Sequence, residues 1–388
     1  MNFLREIADF FRFFCRTPKE EKRIVFYAEH EGYYVNFEGI VRELTDRNQQ
    51  TICYVTSDPN DPILRTPEPR IRSFYLKRLL AFFMIFVRCR VFVMTLTDLH
   101  QFHLKRSIHP VHYVYVFHSM VSTHMMYRSG AFDHYDSILC AGPHHVREIR
   151  KYEELHDLPR KELVETGYYR LEKICAEYDA YVAHRPVAQE RTTVLIAPSW
   201  GPGNVIESCG ERLVQLLLDE EYEVIVRPHP ETTRRSPGLI DGLMRRYGDS
   251  PAFNLERSVA TNDSLLRSDI LICDCSGVAL EYAFGTERPV LFLDVPHKVR
   301  NEHFTELDIE PLELSVRPEI GVIVPPEELD TVPSVIAGLK ADQAKYGQRI
   351  AELRENSIYA FGRSATISAN HVIGLTRGED CQPQEGRN

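Results

Sequence analysis

Short apolar runs alternate along the chain with segments whose apolar residues recur at helical spacing, the pattern of parallel strands joined by crossover helices. In the first half, residues 23–28, 50–55, 90–95, 111–117 and 137–140 read as strands. Several of these runs are apolar on both faces, as expected of strands covered by helices on both sides. The pattern changes after Gly167: residues 168–181 read as a helix, and 184–191 is polar, contains Pro186 and has no apolar period, which marks a linker. A second series follows, with strands at 193–197, 223–227, 270–273, 290–293 and 321–324 and helices at 209–218, 237–247, 261–266 and 279–284. Residues 364–375 read as a closing helix.

The fold class expected is α/β, with two facing doubly wound, Rossmann-like domains at 1–185 and 186–376 and a frayed tail at 377–388. Open parallel sheets bind ligands beyond the carboxyl ends of their strands. Two facing sheets are therefore expected to share one cleft, and residues at strand ends become the candidates for chemistry.

Two segments bear on membranes. Residues 1–16 place Phe3, Leu4, Ile7, Phe10, Phe11 and Phe14 at helical spacing among Arg5, Arg12 and Arg16. This is neither a secretory signal nor a span. Two readings stand: an interfacial helix on an anionic membrane surface, or an amphipathic helix packed on its own domain. The most apolar stretch, 74–97, carries Lys77, Arg78, Arg88 and Arg90, and four cations make it too costly as a transmembrane helix. It divides instead into a helix at 71–87 and a buried strand at 90–95. The expected location is cytoplasmic, with peripheral attachment to the inner face of the cell membrane as the use of the first helix.

Composition narrows the function. With 43% hydrophobic and 10% aromatic residues in 388, the chain can bury enough surface to fold, which excludes a predominantly disordered protein. A net charge of -10, from 46 basic and 56 acidic residues, argues against nucleic acid as a partner. Nine cysteines, an odd number without paired spacing, form no disulfide framework, and buried reduced thiols are expected.

Three constellations sit at predicted strand ends. Arg227-Pro228-His229-Pro230 follows the strand at 223–227. The prolines stiffen the backbone and remove donors, so His229 is held at the strand end, and an imidazole beside a guanidinium suits a phosphate or pyrophosphate. Asp274-Cys275-Ser276-Gly277-Val278 follows the strand at 270–273 and opens a helix carrying Glu281. There Ser276 can cap the helix, Gly277 permits close backbone approach, and the free first-turn amides make an anion site. Phe117-His118-Ser119 ends the strand at 111–117, where His118 can take a proton from an attacking hydroxyl. Gly167-Tyr168-Tyr169-Arg170 and Ala197-Pro198-Ser199-Trp200-Gly201 occupy equivalent strand-end positions. Ten of the 16 histidines crowd between His100 and His156, but His100/His103 and His109/His112 lack a His-Glu-x-x-His frame. No metal site is expected.

In order and spacing these residues resemble the CDP-glycerol glycerophosphotransferases of teichoic-acid and capsule synthesis. The resemblance runs over about 111–361 and is strongest over 224–293, where Arg-Pro-His-Pro and the Asp-x-Ser-x-Val helix start stand in order, with Arg288-Pro289-Val290 beyond them. It implies a two-domain glycosyltransferase-B architecture and transfer of glycerol phosphate from CDP-glycerol to a hydroxyl, releasing CMP and requiring no cofactor. The acceptor would be a polyol-phosphate, glycan or glycolipid. It implies His118 as the base, corresponding to the histidine of the family's Trp-His-Gly, and His229 as the second catalytic histidine. Arg170, Ser199, Arg227, Asp274, Ser276, Gly277 and Glu281 would bind the nucleotide-linked donor. Departures are Phe117 and Ser119 around His118, Gly201 in place of the arginine of Pro-Thr-Trp-Arg, Gly277 in place of a second serine, and Glu281 in place of aspartate. Arg170 and Arg227 are the candidates to replace the charge lost at Gly201. A nucleotide-sugar glycosyltransferase, a non-hydrolysing sugar-nucleotide epimerase and an inactive membrane scaffold remain as alternatives.

Overall fold

The structure is a computed structural model and describes residues 2–184, 191–257 and 261–378. The expected linker at 184–191 and the tail at 377–388 therefore lie largely outside the described residues.

The first sheet has seven strands: β1 (Ile24–Ala28), β2 (Ile52–Thr56), β3 (Ile71–Tyr75), β4 (Val91–Met94), β5 (His112–Val116), β6 (Ser137–Cys140) and β7 (Glu162–Glu165). Their order is β3-β2-β1-β4-β5-β6-β7, and every pairing is parallel. The second sheet has β8 (Thr193–Ile196), β9 (Glu223–Val226), β10 (Phe253–Leu255), β11 (Ile270–Cys273), β12 (Val290–Leu293) and β13 (Gly321–Val324), all parallel in the order β10-β9-β8-β11-β12-β13. Both are doubly wound sheets whose strand order reverses beside the first strand, and ligands bind at that reversal in open α/β folds. The reversal lies between β1 and β4 in one sheet and between β8 and β11 in the other.

Central strands such as β1, β2, β8 and β11 are buried along their whole length, matching the apolar runs that foretold them. Three strands escaped the sequence reading. β3, β7 and β10 are edge strands, only partly covered, so they lack an unbroken apolar run. The expected helix at 71–87 is corrected accordingly: Ile71–Tyr75 pairs with β2 and only Leu80–Phe86 is helical. Pairing with a covered neighbour outweighs a local apolar period that either structure can satisfy.

The chain divides into two compact units, but not by a single cut near residue 185. The first comprises Met1–His118, Tyr127–Tyr169 and the segment from Ile358 onward; the second comprises Ser119–Met126 and Arg170–Ser357. The closing helix, Ser364–Arg377, belongs to the first unit because Ala369, Val372 and Ile373 fill its core beside Phe26, Val93 and Val114. Ser119–Met126 belongs to the second because the Ser122 N–H and hydroxyl donate to the Glu313 carboxylate at 2.8 and 2.7 Å, and Asn301 Nδ2 donates to the His124 carbonyl at 2.9 Å.

The first helix, Asn2–Phe11, packs on its own unit by its acidic residues. Glu6 is buried and accepts the Lys77 and Leu79 amides at 2.5 and 2.7 Å; Asp9 accepts the Tyr75 amide at 2.9 Å. Phe3, Leu4 and Phe11 are left 47%, 73% and 59% exposed. No helix among the described residues is long and apolar enough to cross a membrane. The eight cysteines among the described residues are free thiols.

Candidate active site

In the first unit, β5 delivers His118 one residue beyond Phe117, at the carboxyl end of the sheet. Its ring meets Tyr33 edge-on at 5.6 Å between centroids and Tyr127 at 6.0 Å. Tyr33 stands in the turn after β1, beside His30. Phe117 points the other way and stacks on His145 at 3.8 Å, which accounts for an aromatic residue before the histidine. Sequence reasoning missed Tyr33 and Tyr127, because aromatic residues in turns carry no periodic signal.

In the second unit, the loops after β8 and β11 flank the strand-order reversal, and they are joined there. The Ser199 N–H and Oγ donate to the two oxygens of Asp274 at 2.8 and 2.9 Å, with both residues buried. Burial raises the Asp274 pKa, which these bonds oppose. Ser199 and Asp274, expected as donor ligands, thus engage each other and brace the loops.

His229 follows β9 and caps the short helix Pro230–Arg235: its Nδ1 accepts the Glu231 amide at 3.1 Å. Burial, assisted by the Lys298 charge, lowers its pKa to about 4. A neutral ring has one N–H, so the bond at Nδ1 assigns the proton to Nε2. His229 is therefore a neutral hydrogen-bond donor rather than an imidazolium.

Trp200 lies beside His229, with 6.1 Å between ring centroids, and carries the Lys298 ammonium 4.0 Å over its ring and the Arg235 guanidinium at 4.8 Å. Burial lowers the Lys298 pKa to about 8. Lysine at such a position is a point charge for phosphate. Lys298 sits in an irregular loop after β12 with no motif around it, and sequence reasoning missed it. The two arginines proposed to replace the charge absent at Gly201 are committed elsewhere. Arg170 pairs with Glu281 at 3.0 Å, both largely buried, and Arg227 is buried with its guanidinium 3.2 Å from Ser264 Oγ. Gly201 itself has a φ of +127°, a backbone that an arginine would find strained.

Ser276 occupies the N-cap of the helix Gly277–Thr286 in extended conformation, but its side chain makes no cap bond, contrary to the capping role expected. Gly277 lies in close approach to Ser119 within its own unit: a Cβ there would meet Ser119 Oγ, which would have to turn aside. The second unit therefore brings together Ser199 with Asp274, Trp200 with His229 and Lys298, and Arg170 with Glu281.

Solved structures of other proteins share the fold. A wall teichoic acid polymerase, TagF, superposes with a TM-score of 0.62 at 14% identity, over 97% of this chain and 95% of that one. A putative UDP-N-acetylglucosamine 2-epimerase from Listeria monocytogenes superposes at 0.58 with 12% identity, over 94% and 99%. The UDP-GlcNAc 2-epimerase from Neisseria meningitidis gives 0.58 with 10% identity, over 91% and 100%. These likenesses establish a glycosyltransferase-B type of fold. No curated protein sequence matches the chain. The family model for CDP-glycerol:poly(glycerophosphate) glycerophosphotransferase matches residues 9–297, reaching further toward the amino terminus than the motifs at 111–361 did. The chain belongs to this family, the transferases that take glycerol phosphate from CDP-glycerol.

Proposed function

We propose that His118 serves as the base, and the second unit as the donor-binding half, in transfer of glycerol phosphate from CDP-glycerol to a hydroxyl of a polyol-phosphate, glycan or glycolipid acceptor. The acceptor oxygen attacks the phosphorus bearing glycerol while His118 removes its proton. A new P–O bond forms, the bridging P–O bond of the pyrophosphate breaks, and CMP leaves with the bonding electrons. His229 Nε2–H, the Ser276 hydroxyl, the first-turn amides after Gly277 and the Lys298 ammonium stabilise the charge that develops on the pyrophosphate. Positioning and electrostatics dominate phosphoryl transfer, so no covalent intermediate is needed. Arg170, Arg227 and Glu281 act as a buried support for the start of the Gly277–Thr286 helix.

The observation that carries this reading is the state of His229: a neutral ring with Nδ1 occupied, offering one N–H beside a lysine. Calorimetry with CDP-glycerol, CDP, UDP and UDP-sugars tests it. Cytidine nucleotides are expected to bind and His229→Ala to weaken them; preference for uridine nucleotides would overturn the donor assignment.

The exposed apolar face of the first helix supports peripheral attachment to an anionic bilayer. Phe3, Leu4 and Phe11, with Phe82 and Phe86 of the neighbouring helix Leu80–Phe86, stay exposed while the acidic residues turn inward. The Arg78 guanidinium lies 5.8 Å over the Phe3 ring. This is the inverse of a helix packed by its apolar stripe, and it suits an interfacial helix.

A further inference from the structure

At the amino ends of β5, β6 and β7, the end of the first sheet opposite His118, side chains from remote parts of the sequence meet. His112 opens β5, Ser137 opens β6 and Glu162 opens β7, while His371 descends from the closing helix Ser364–Arg377. One donor atom from each of His112, Glu162 and His371 lies within 4.8 Å of the other two. His371 Nδ1 is 3.5 Å from Glu162 Oε1, and its Nε2 is 3.1 Å from Ser137 Oγ. The same hydroxyl bonds His112 Nε2 and lies 3.4 Å from Glu162 Oε2. Ser137 Oγ thus lies within hydrogen-bond distance of all three residues.

We propose that His112, Glu162 and His371 form a binding site for a divalent transition-metal ion, with Zn²⁺ the fitting occupant, which ties the closing helix to the sheet. Two imidazole nitrogens and one carboxylate oxygen are the donor set of borderline metals; Mg²⁺ and Ca²⁺ take oxygen. Bonds of about 2.0–2.1 Å to a tetrahedral ion place donors about 3.3 Å apart, so the cluster closes by small side-chain rotations. Ser137 Oγ is placed to complete the site directly or through a bound water. Sequence spacing could not disclose it, because the three ligands stand at 112, 162 and 371 and only strand pairing and the return of the last helix join them.

The test uses tag-free full-length protein, stripped with a chelator and titrated with Co²⁺ and then Zn²⁺, with metal counted after gel filtration. Expected are about one ion per chain, visible Co²⁺ bands displaced by Zn²⁺, and a higher Tm with Zn²⁺. His371→Gln and Glu162→Gln are expected to weaken Co²⁺ binding more than about a hundredfold, beyond the cost of changing an outer-shell partner. His109→Ala, in the same histidine-rich stretch but outside the cluster, should bind as the wild type does. If His371→Gln does not fold, the part-exposed Glu162→Gln carries the comparison. Failure of folded wild-type protein to retain stoichiometric metal, or unchanged retention in Glu162→Gln, would overturn the site and leave a hydrogen-bonded cluster centred on Ser137.

Discussion

Asp274 accepts both the backbone amide and the hydroxyl of Ser199, at 2.8 and 2.9 Å, and so joins the loops on either side of the strand-order reversal in the second sheet. Removing one partner of a buried hydrogen bond leaves the other to bear its desolvation, about 1–3 kcal/mol per group. Asp274→Ala orphans two donors, whereas Ser199→Ala leaves Asp274 one. Denaturant unfolding should therefore rank Asp274→Ala as the more destabilising. Equal effects would mean that the hydroxyl carries the whole interaction.

His118 and His229 should separate kinetically. A general base typically contributes about a hundred- to ten-thousandfold, so His118→Ala is expected to lose at least about two orders of magnitude in kcat while CDP still binds. His229→Ala is expected to lose both turnover and CDP affinity. Near-normal turnover of either variant with CDP-glycerol would remove that residue from the mechanism.

The pH dependence of donor binding follows from Lys298. Its pKa is lowered to about 8, so the ammonium is charged at pH 7 and loses its proton as pH rises through about 8. CDP affinity should fall over that range, and Lys298→Met should be weaker and flat. Folding takes the opposite sign. The folded-state value lies below that of the unfolded chain, so the penalty for burying the charge is fully present below about 8 and is relieved as pH rises toward the ordinary lysine value. His229, at about 4, stays neutral throughout and adds no step to the profile.

The membrane reading makes a direct prediction. Burying an apolar side chain is worth about 1.5–3 kcal/mol when complete, and the exposed Phe3, Leu4 and Phe11, each already partly covered by the protein, should each contribute about 1 kcal/mol. The triple serine variant should then lose roughly a hundredfold in partitioning, read as pelleting with anionic liposomes. Unchanged pelleting would exclude the helix Asn2–Phe11 as the anchor.

The covered strands and the residues at their ends were readable from the chain alone. β5, β9 and β11 each carry a buried apolar run, so their boundaries place His118, His229 and Ser276 at strand ends by counting. Edge strands β3, β7 and β10 were not readable, because their half-covered faces leave a mixed pattern. The roles of Ser199, Asp274, Arg170 and Glu281 were legible only as membership of a region; which of them face one another depends on loop conformation.

The sequence by itself determined that apolar runs would be buried as parallel strands, and that His118, Arg227-Pro228-His229-Pro230 and Asp274-Cys275-Ser276-Gly277 would follow them, because burial demand and backbone stiffness are local properties. Tertiary structure alone decided that the first helix turns Glu6 and Asp9 inward, that Arg170 is spent on Glu281 and Lys298 takes the place over Trp200, and that the last helix carries His371 to His112 and Glu162. Those outcomes depend on which distant groups satisfy a buried charge or amide, and that is settled by packing rather than by neighbours along the chain.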